Sequence, residues 1–139
     1  MTRAAVIVDT NVVVAGLVTR SAASPVASIL DGMLSAAFPF VLSEALLTEY
    51  RNVLVRPGVR KLHGLTIAQV ESILTDVAQH AIMLVPVPTP PAPDPNDQLL
   101  WDLLAARADL VLVTGDNLLL QDSFMKRRVI SACAFVADV

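Results

Sequence analysis

Short apolar runs alternate with amphipathic segments along the chain, and this alternation predicts an α/β fold. Five runs have the length and composition of buried strands: residues 4–8, 38–42, 82–85, 110–113 and 129–130. Because helical patterns separate most of them, the strands should form a parallel sheet with right-handed crossovers. We therefore predict a central parallel sheet of about five short strands, in a single domain that spans residues 1–139.

Polar capping residues precede four predicted helices. The first should end near residue 36, the second at Pro57-Gly58, and the fourth near Ala108. A proline-rich segment, residues 86–95, holds six of the nine prolines and should form a stiff, extended connection. The predicted N-caps are Ser24, Ser43, Thr66 (with Gln69 completing a capping box) and Asp94.

Composition limits where the protein acts and what it binds. Apolar residues make up 55% of the chain, yet no apolar run reaches the roughly 18 residues of a membrane helix. The N-terminal apolar stretch is too short for a signal peptide, so we expect a cytoplasmic location. The single cysteine, Cys133, excludes an intrachain disulfide and is expected in the core.

Four acidic residues are placed where a parallel sheet binds ligands. In open α/β sheets the binding crevice lies beyond the carboxyl ends of the strands. Two acids directly follow predicted strands and two lie near the start of predicted helices at the same edge: Asp9, Asp116, Glu49 and Asp97. Converging carboxylates repel one another, and their hard oxygens favour Mg²⁺ or Mn²⁺. One or two such ions would suit phosphodiester hydrolysis.

These residues, in this order, resemble the PIN-domain family, and specifically the VapC-like toxin components of toxin–antitoxin systems. The resemblance covers nearly the whole chain and rests on five segments: Val8-Asp9-Thr10-Asn11, Ser43–Leu54, Asp94–Asp97, Leu112–Asp116 and the stretch around Phe135. It implies a three-layer PIN fold, with helices on both faces of the sheet. It also implies a Mg²⁺- or Mn²⁺-dependent endoribonuclease whose RNA cleavage is inhibited by a cognate antitoxin, and a homodimer is expected.

The resemblance also assigns site residues by position. It implies that Asp9, Glu49, Asp97 and Asp116 form the acidic quartet. Thr10 and Asn11 match the segment that orients the first aspartate, and Thr114 matches a hydroxyl beside the fourth acid. Many relatives have further acids where this chain has other residues, so a second metal ion is less firmly implied than the first: Asn96, Gln98, Asn117 and Leu118.

Structural explanations compete with the metal-binding interpretation of each acid. Asp9 could cap a helix that begins at Asn11, and Glu44 is a rival for the role of Glu49. Asp97 could complement a helix dipole, and Asp116 could stabilise a turn. Asp94 is better explained as an N-cap before Pro95 than as a ligand.

The net charge of −3 is not that of a protein that binds nucleic acid by overall charge. Two basic stretches could contact phosphate locally, although such stretches are usually solvated faces: Arg51, Arg56, Arg60 and Lys61 form one, and Lys126, Arg127 and Arg128 the other. Trp101 and Phe124 are expected in the core or at a dimer contact.

Two other functions compete with the nuclease. A phosphatase of the haloacid-dehalogenase type also has an aspartate after its first strand, but it needs a second aspartate two residues later, where this chain has Asn11. The other is a PIN-like module that binds protein partners and has lost catalysis.

Overall fold

A computed structural model describes residues 5–92, 94–120 and 128–137. It is an α/β fold whose central parallel sheet is surrounded by helices, as the sequence predicts. The strands are β1 (Val6–Val8), β2 (Val41–Leu42), β3 (Ile82–Met83), β4 (Val111–Thr114) and β5 (Val129–Ser131).

The prediction of one sheet with about five strands is wrong in detail. Within the described ranges, β1, β4 and β5 form a three-stranded parallel sheet, and β2 pairs with β3 in a separate two-stranded parallel sheet. A single parallel bridge between Val6 and Phe40 joins the two. One bridge is too short a ladder between β1 and the β2 segment to make the two sheets continuous.

The strand order reverses next to β1. Read across both sheets, the order is β3, β2, β1, β4, β5, so successive strands run outward first to one side of β1 and then to the other. Ligands of open parallel sheets bind beyond the carboxyl ends of the strands at such a reversal. The fold therefore places its crevice at the ends of β1 and β4.

Eight α-helices lie in the described ranges: α1 (Thr10–Val18), α2 (Pro25–Ser35), α3 (Glu44–Leu54), α4 (Pro57–His63), α5 (Ile67–His80), α6 (Gln98–Leu104), α7 (Asn117–Leu120) and α8 (Ala132–Ala137). A 3₁₀ turn, Pro95–Asp97, leads into α6. None of these helices is long and apolar enough to cross a membrane.

The four predicted N-caps are confirmed: three cap α-helices, and Asp94 caps the 3₁₀ turn before α6. The side chains of Ser24, Ser43 and Thr66 each accept a hydrogen bond from a backbone amide three residues later, and Gln69 completes the capping box of α5. Helix α3 ends at Leu54, shortly before Pro57-Gly58 as predicted, but Pro57 is also the first residue of α4, which was not predicted. The predicted end of the fourth helix near Ala108 is wrong, because α6 ends at Leu104.

The core lies between the sheet and the helices. Its fully buried side chains include Ile7 of β1, Met33 of α2 and Leu46 of α3. Trp101 is only 2% exposed and packs in this core, as expected, whereas Phe124 lies outside the described residues. The prediction for Cys133 is wrong: it is exposed on α8, because that helix turns Phe135 inward instead.

The proline-rich segment is fastened to α6. Residues 84–92 form neither helix nor strand, which agrees with the predicted extended connection. The Thr89 hydroxyl donates to the Asp102 carboxylate over 2.8 Å, and the Ala92 amide donates to the Gln98 side chain over 2.8 Å. Gln98 directly follows Asp97, so these bonds also fix the start of α6 at the crevice.

Arg128 has a structural role. Its guanidinium donates to the backbone carbonyls of Leu104 (2.7 Å), Arg107 (2.6 Å) and Leu110 (3.1 Å). These bonds join the C-terminal end of α6 to the segment before β4. The alternative that Arg128 contacts phosphate is therefore not supported. Lys126 and Arg127 lie outside the described residues.

Candidate active site

Asp9 lies at the reversal of strand order, directly after β1. It is 6% exposed, and its backbone amide donates to the Val113 carbonyl of β4 over 2.9 Å. Although Asp9 occupies the N-cap position of α1, its carboxylate makes no capping hydrogen bond. The competing explanation as a helix cap is therefore not supported, and Asp9 instead lines the cavity at the ends of β1 and β4.

Thr114 joins Asp9 to the loop that carries Asp116. Its hydroxyl donates to Asp9 Oδ2 over 2.7 Å and accepts from the Asp116 backbone amide over 3.0 Å. One buried side chain thus orients the first acid and holds the backbone of the last. This places Thr114 beside the fourth acid, where the family resemblance puts a hydroxyl.

The side chains of Thr10 and Asn11 contact Glu49 and Gly115, while the Thr10 backbone amide donates a hydrogen bond to the Asp9 carboxylate. The Thr10 hydroxyl donates to the Glu49 carboxylate, and Asn11 Oδ1 accepts from the Gly115 amide over 3.2 Å. Both residues begin α1, so their side chains point outward from β1 toward α3 and β4. Thr10 orients Glu49 and Asn11 fixes the turn after β4, while the hydroxyl that orients Asp9 is that of Thr114.

Glu49 is half-buried on α3, and its bond to Thr10 brings it beside Asp9. Its rival, Glu44, is exposed in the first turn of the same helix, where an acid complements the helix dipole. Glu44 lines a different surface hollow, next to Met83 and Val85. The structure therefore distinguishes the two glutamates: Glu49 is bonded to Thr10 next to Asp9, whereas Glu44 lies elsewhere.

Asp97 ends the 3₁₀ turn that precedes α6. Asp94 caps this turn by accepting from the Asn96 amide over 2.9 Å, which confirms the cap interpretation of Asp94. The pKa of Asp97 is raised to about 6, first by partial burial and then by the negative charges of Asp9, Asp116, Asp94 and Glu49, in that order of importance.

A cavity of about 460 Å³ opens between these elements. Asp9, Asp97 and Asp116 line one part of it, with Thr10 and Asn11 between them. The remaining wall is apolar and comes from α1, α3 and α4: Val14, Ala15, Val18, Val53 and Leu62. This wall could not be predicted from the sequence, because apolar residues in helical patterns are expected in the core.

The acids repel one another in this cavity. Burial raises the pKa of Asp9, the Thr114 hydroxyl opposes that rise, and the charges of Glu49 and Asp116 add to it. Asp97 is raised by the same neighbours. Burial is the largest cause of both shifts and the neighbouring charges add to it, so a cation bound in the cavity would favour the ionised forms of both acids.

The chemistry of the donors suits a hard divalent cation. Carboxylate oxygens are the ligands that Mg²⁺ and Mn²⁺ prefer. Across residues 5–92, 94–120 and 128–137, however, no three His, Cys, Asp or Glu side chains are grouped closely enough to hold an ion as they stand. Asp9, Asp97 and Asp116 line the cavity without forming a preassembled centre, and Glu49 does not line it but is hydrogen-bonded to Thr10, which does.

Tyr50 holds the backbone next to Asp9, and its role was not predicted from the sequence. It is fully buried on α3, and its hydroxyl donates to the Val8 carbonyl, one residue before Asp9. Burial raises the pKa of Tyr50 well above its usual value, and the charges of Asp9 and Glu49 add to that rise. The phenol therefore stays protonated and remains a donor.

A comparison with protein families supports the placement of these residues. A family model for the PIN domain matches residues 5–118, which is most of the chain, and no curated protein matches it significantly. PIN domains are generally nucleases and typically use divalent metals, which agrees with an acid-lined cavity. The matched range contains Asp9, Glu49, Asp97 and Asp116, and the chain belongs to the PIN-domain family.

Proposed function

We propose that the chain is a Mg²⁺- or Mn²⁺-dependent endoribonuclease that hydrolyses RNA phosphodiester bonds. One observation supports this most strongly: Asp9 and Asp116 follow adjacent parallel strands at the reversal of strand order, and Asp97 faces the same cavity. Membership of the PIN-domain family makes nucleic acid the substrate class. The choice of RNA and of the metal is the proposal.

Each acid has a distinct role in this proposal. Asp9, held by Thr114, and Asp116, whose backbone is held by the same hydroxyl, would be the principal ligands. Asp97 and Glu49 would complete the ligand set, with Glu49 oriented by Thr10. A bound divalent cation would neutralise the scissile phosphate and lower the pKa of a water molecule. The apolar wall would limit the access of bulk water to that site.

We further propose that this nuclease is the toxin of a toxin–antitoxin pair, that it acts in the cytoplasm, and that it forms a homodimer. The support is the resemblance to VapC-like toxins, which covers the same segments as the acidic residues. A cognate antitoxin would then inhibit the enzyme by covering the cavity. Expression of the chain alone and together with a candidate antitoxin, followed by measurement of growth and RNA cleavage, tests this part separately.

Metal binding is tested by thermal unfolding with and without Mn²⁺. We expect Mn²⁺ to raise the melting temperature of the wild type, and to raise that of Asp9→Asn much less. Asparagine keeps an oxygen that can accept from Thr114, so the variant loses charge with little change in shape. Asp76→Asn is the matched control, because Asp76 is exposed on α5. Equal Mn²⁺ shifts in wild type and Asp9→Asn would show that Asp9 binds no metal.

Catalysis is tested by incubating purified protein with labelled RNA. We expect EDTA to abolish cleavage, excess Mn²⁺ to restore it, and Asp116→Asn to lower the rate at least about tenfold. Cleavage that Asp116→Asn leaves unchanged would indicate a contaminating nuclease or a different site.

The two alternatives make different predictions. A haloacid-dehalogenase-type phosphatase is not supported, because the chain matches the PIN domain and the residue two positions after Asp9 is Asn11, which binds the Gly115 amide. A PIN-like binding module without catalysis would bind no Mn²⁺ and cleave no RNA. The absence of a preassembled group of three ligands in the described residues is the observation that favours it.

A further inference from the structure

Two acids of the site are held by a neighbouring hydroxyl, but Asp97 is not. Thr114 donates to the Asp9 carboxylate, and Thr10 donates to that of Glu49. Asp97 occupies the N-cap position of α6, yet its side chain makes no capping hydrogen bond. Within the described part of the chain, no residue donates a hydrogen bond to its carboxylate. The position of this acid therefore depends on the backbone that carries it.

The side chain of Gln98 fastens that backbone. Its Oε1 atom accepts from the Ala92 amide over 2.8 Å, and the bond spans six positions of the chain. Asp97 lies between the two bonded residues, directly before Gln98. The backbone amide of Gln98 donates to the Pro95 carbonyl within the 3₁₀ turn. Asp97 is thus bounded on its C-terminal side by a residue that is fixed through both its side chain and its backbone.

The other end of the same amide is bonded as well. Gln98 Nε2 donates to the Thr89 hydroxyl over 2.8 Å and to Asp102 Oδ1 over 3.0 Å. The Thr89 hydroxyl donates to the same Asp102 oxygen over 2.8 Å. Gln98 and Asp102 are four residues apart on α6, so they lie on one face of the helix. An amide suits this place because it combines an acceptor with two donors, whereas a carboxylate would face Asp102 without a donor.

The proline-rich segment uses all of its amides on α6. Residues 86–92, which we call the strap, contain four prolines, which have no N–H, and three residues that have one. The Val87 amide donates to the Asp102 carbonyl over 2.9 Å, and the Thr89 amide donates to Asp102 Oδ1 over 3.2 Å. The third amide is that of Ala92, bonded to Gln98. Because prolines also restrict the unfolded chain, the strap loses little conformational entropy when it packs on the helix.

We propose that Gln98 is a positioning residue for metal binding: by joining the strap to the start of α6, it holds Asp97 at the cavity. This rests on the proposed nuclease function, in which Asp97 is a ligand of a divalent cation. A ligand that is already in place loses less conformational entropy when the cation binds. Gln98 acts through Asp97 and not as a ligand itself, because both ends of its amide are bonded to the strap and to Asp102.

The test measures Mn²⁺ affinity by calorimetry on the full chain, without RNA. We expect Gln98→Ala to weaken Mn²⁺ binding about fivefold, because the start of α6 loses its bonds to the strap. Thr89→Val removes one acceptor of the Gln98 amide and should weaken binding about twofold. Thr89→Ser keeps the hydroxyl and should recover the wild-type affinity.

A double-mutant cycle tests whether Gln98 acts through Asp97. In the Asp97→Asn background the ligand is already lost, so adding Gln98→Ala should change Mn²⁺ affinity by less than about twofold. A full fivefold loss in that background would show that Gln98 affects the cation by another route, and would refute the positioning role.

Gln69→Ala is the matched control for loss of a glutamine at a helix start. The Gln69 side chain accepts from the Thr66 amide over 2.9 Å at the start of α5, and neither residue lines the acidic cavity. We expect this variant to have a lower melting temperature and the wild-type Mn²⁺ affinity. Hydrogen exchange of the amides of residues 97 and 98, which donate within the 3₁₀ turn, should be faster in Gln98→Ala and unchanged in Gln69→Ala.

The results separate this proposal from the nuclease proposal. If Gln98→Ala binds Mn²⁺ as tightly as the wild type, the positioning role is refuted even when the wild type cleaves RNA. An equal loss of affinity in Gln98→Ala and Gln69→Ala also refutes it, since general destabilisation would then explain both. If the variants bind Mn²⁺ as expected but the wild type cleaves no RNA, the positioning role stands and the nuclease proposal fails. A wild type that binds no Mn²⁺ overturns the positioning role.

Discussion

The substitution Asp97→Asn should stabilise the metal-free protein, and Mn²⁺ should cancel that advantage. In the metal-free protein, burial and the neighbouring acids raise the pKa of Asp97 from its ordinary value near 3.8 to about 6. The folded state therefore holds a proton more tightly than the unfolded state. The stabilising contribution is complete below about pH 4 and is lost as the pH rises through about 6.

The magnitude follows from the size of this rise. A change from 3.8 to about 6 corresponds to roughly 3 kcal/mol. Asp97 is only partly buried, so solvent screening reduces this to about 1 kcal/mol. In EDTA, Asp97→Asn should thus be about 1 kcal/mol more stable than the wild type at pH 7.5 and equal to it at pH 4.

Metal should cancel this advantage. Mn²⁺ at about one hundred times its dissociation constant stabilises the wild type by roughly 2.7 kcal/mol. If loss of Asp97 weakens binding about tenfold, the variant gains only about 1.4 kcal/mol at the same concentration. With Mn²⁺ at pH 7.5 the two proteins should therefore have nearly equal free energies of unfolding.

Urea denaturation at the two pH values, with EDTA or with Mn²⁺, measures all of these quantities. Asp76→Asn is the matched control, because it removes an exposed charge on α5 that does not contribute to the raised pKa of Asp97. The reasoning is refuted if Asp97→Asn and the wild type show the same dependence on pH in EDTA. An equal gain from Mn²⁺ in both proteins would remove Asp97 from the ligand set.

Three further substitutions test the contacts around the site. Thr114→Val should lower the free energy of unfolding by about 2 kcal/mol and weaken Mn²⁺ binding in calorimetry, because Asp9 loses its donor, whereas Thr114→Ser should preserve both. Tyr50→Phe should cost about 1 kcal/mol in urea denaturation, since the Val8 carbonyl loses its donor; an unchanged midpoint would show that this bond is not stabilising. Arg128→Met should lower the free energy of unfolding by about 3 kcal/mol in urea denaturation while leaving the affinity for a labelled single-stranded RNA unchanged, and a loss of affinity would restore its phosphate role.

Local signals predicted the elements well. Ser24, Ser43 and Thr66 cap helices because each hydroxyl lies within reach of an amide three residues later, and that spacing is visible in the sequence. The positions of Asp9 and Asp116 follow from a strand ending, which is also local. Pro57 was misleading because proline both follows helices and begins them, and only the residues after it determine which applies.

Contacts between distant segments could not be predicted. The tie from Thr114 to Asp9 joins residues 105 apart, and that from Thr10 to Glu49 joins residues 39 apart. A hydrophobic pattern predicts that a strand ends near Thr114, but it does not predict which distant side chain the Thr114 hydroxyl contacts. For the same reason, Leu62 resembles a core residue in the sequence, although the structure exposes it on α4.

The pairing of β1 with β4 also determines when the acidic site can form as the chain folds. The hydrogen bond between Asp9 and Thr114 joins residues 105 apart, and β4 is flanked in turn by β5 (Val129–Ser131). Contacts of such long sequence separation form late, because the intervening chain must first be ordered. If the proposed ribonuclease activity needs Asp9 and Asp116 together, a chain in which β4 has not yet formed would be unable to cleave RNA.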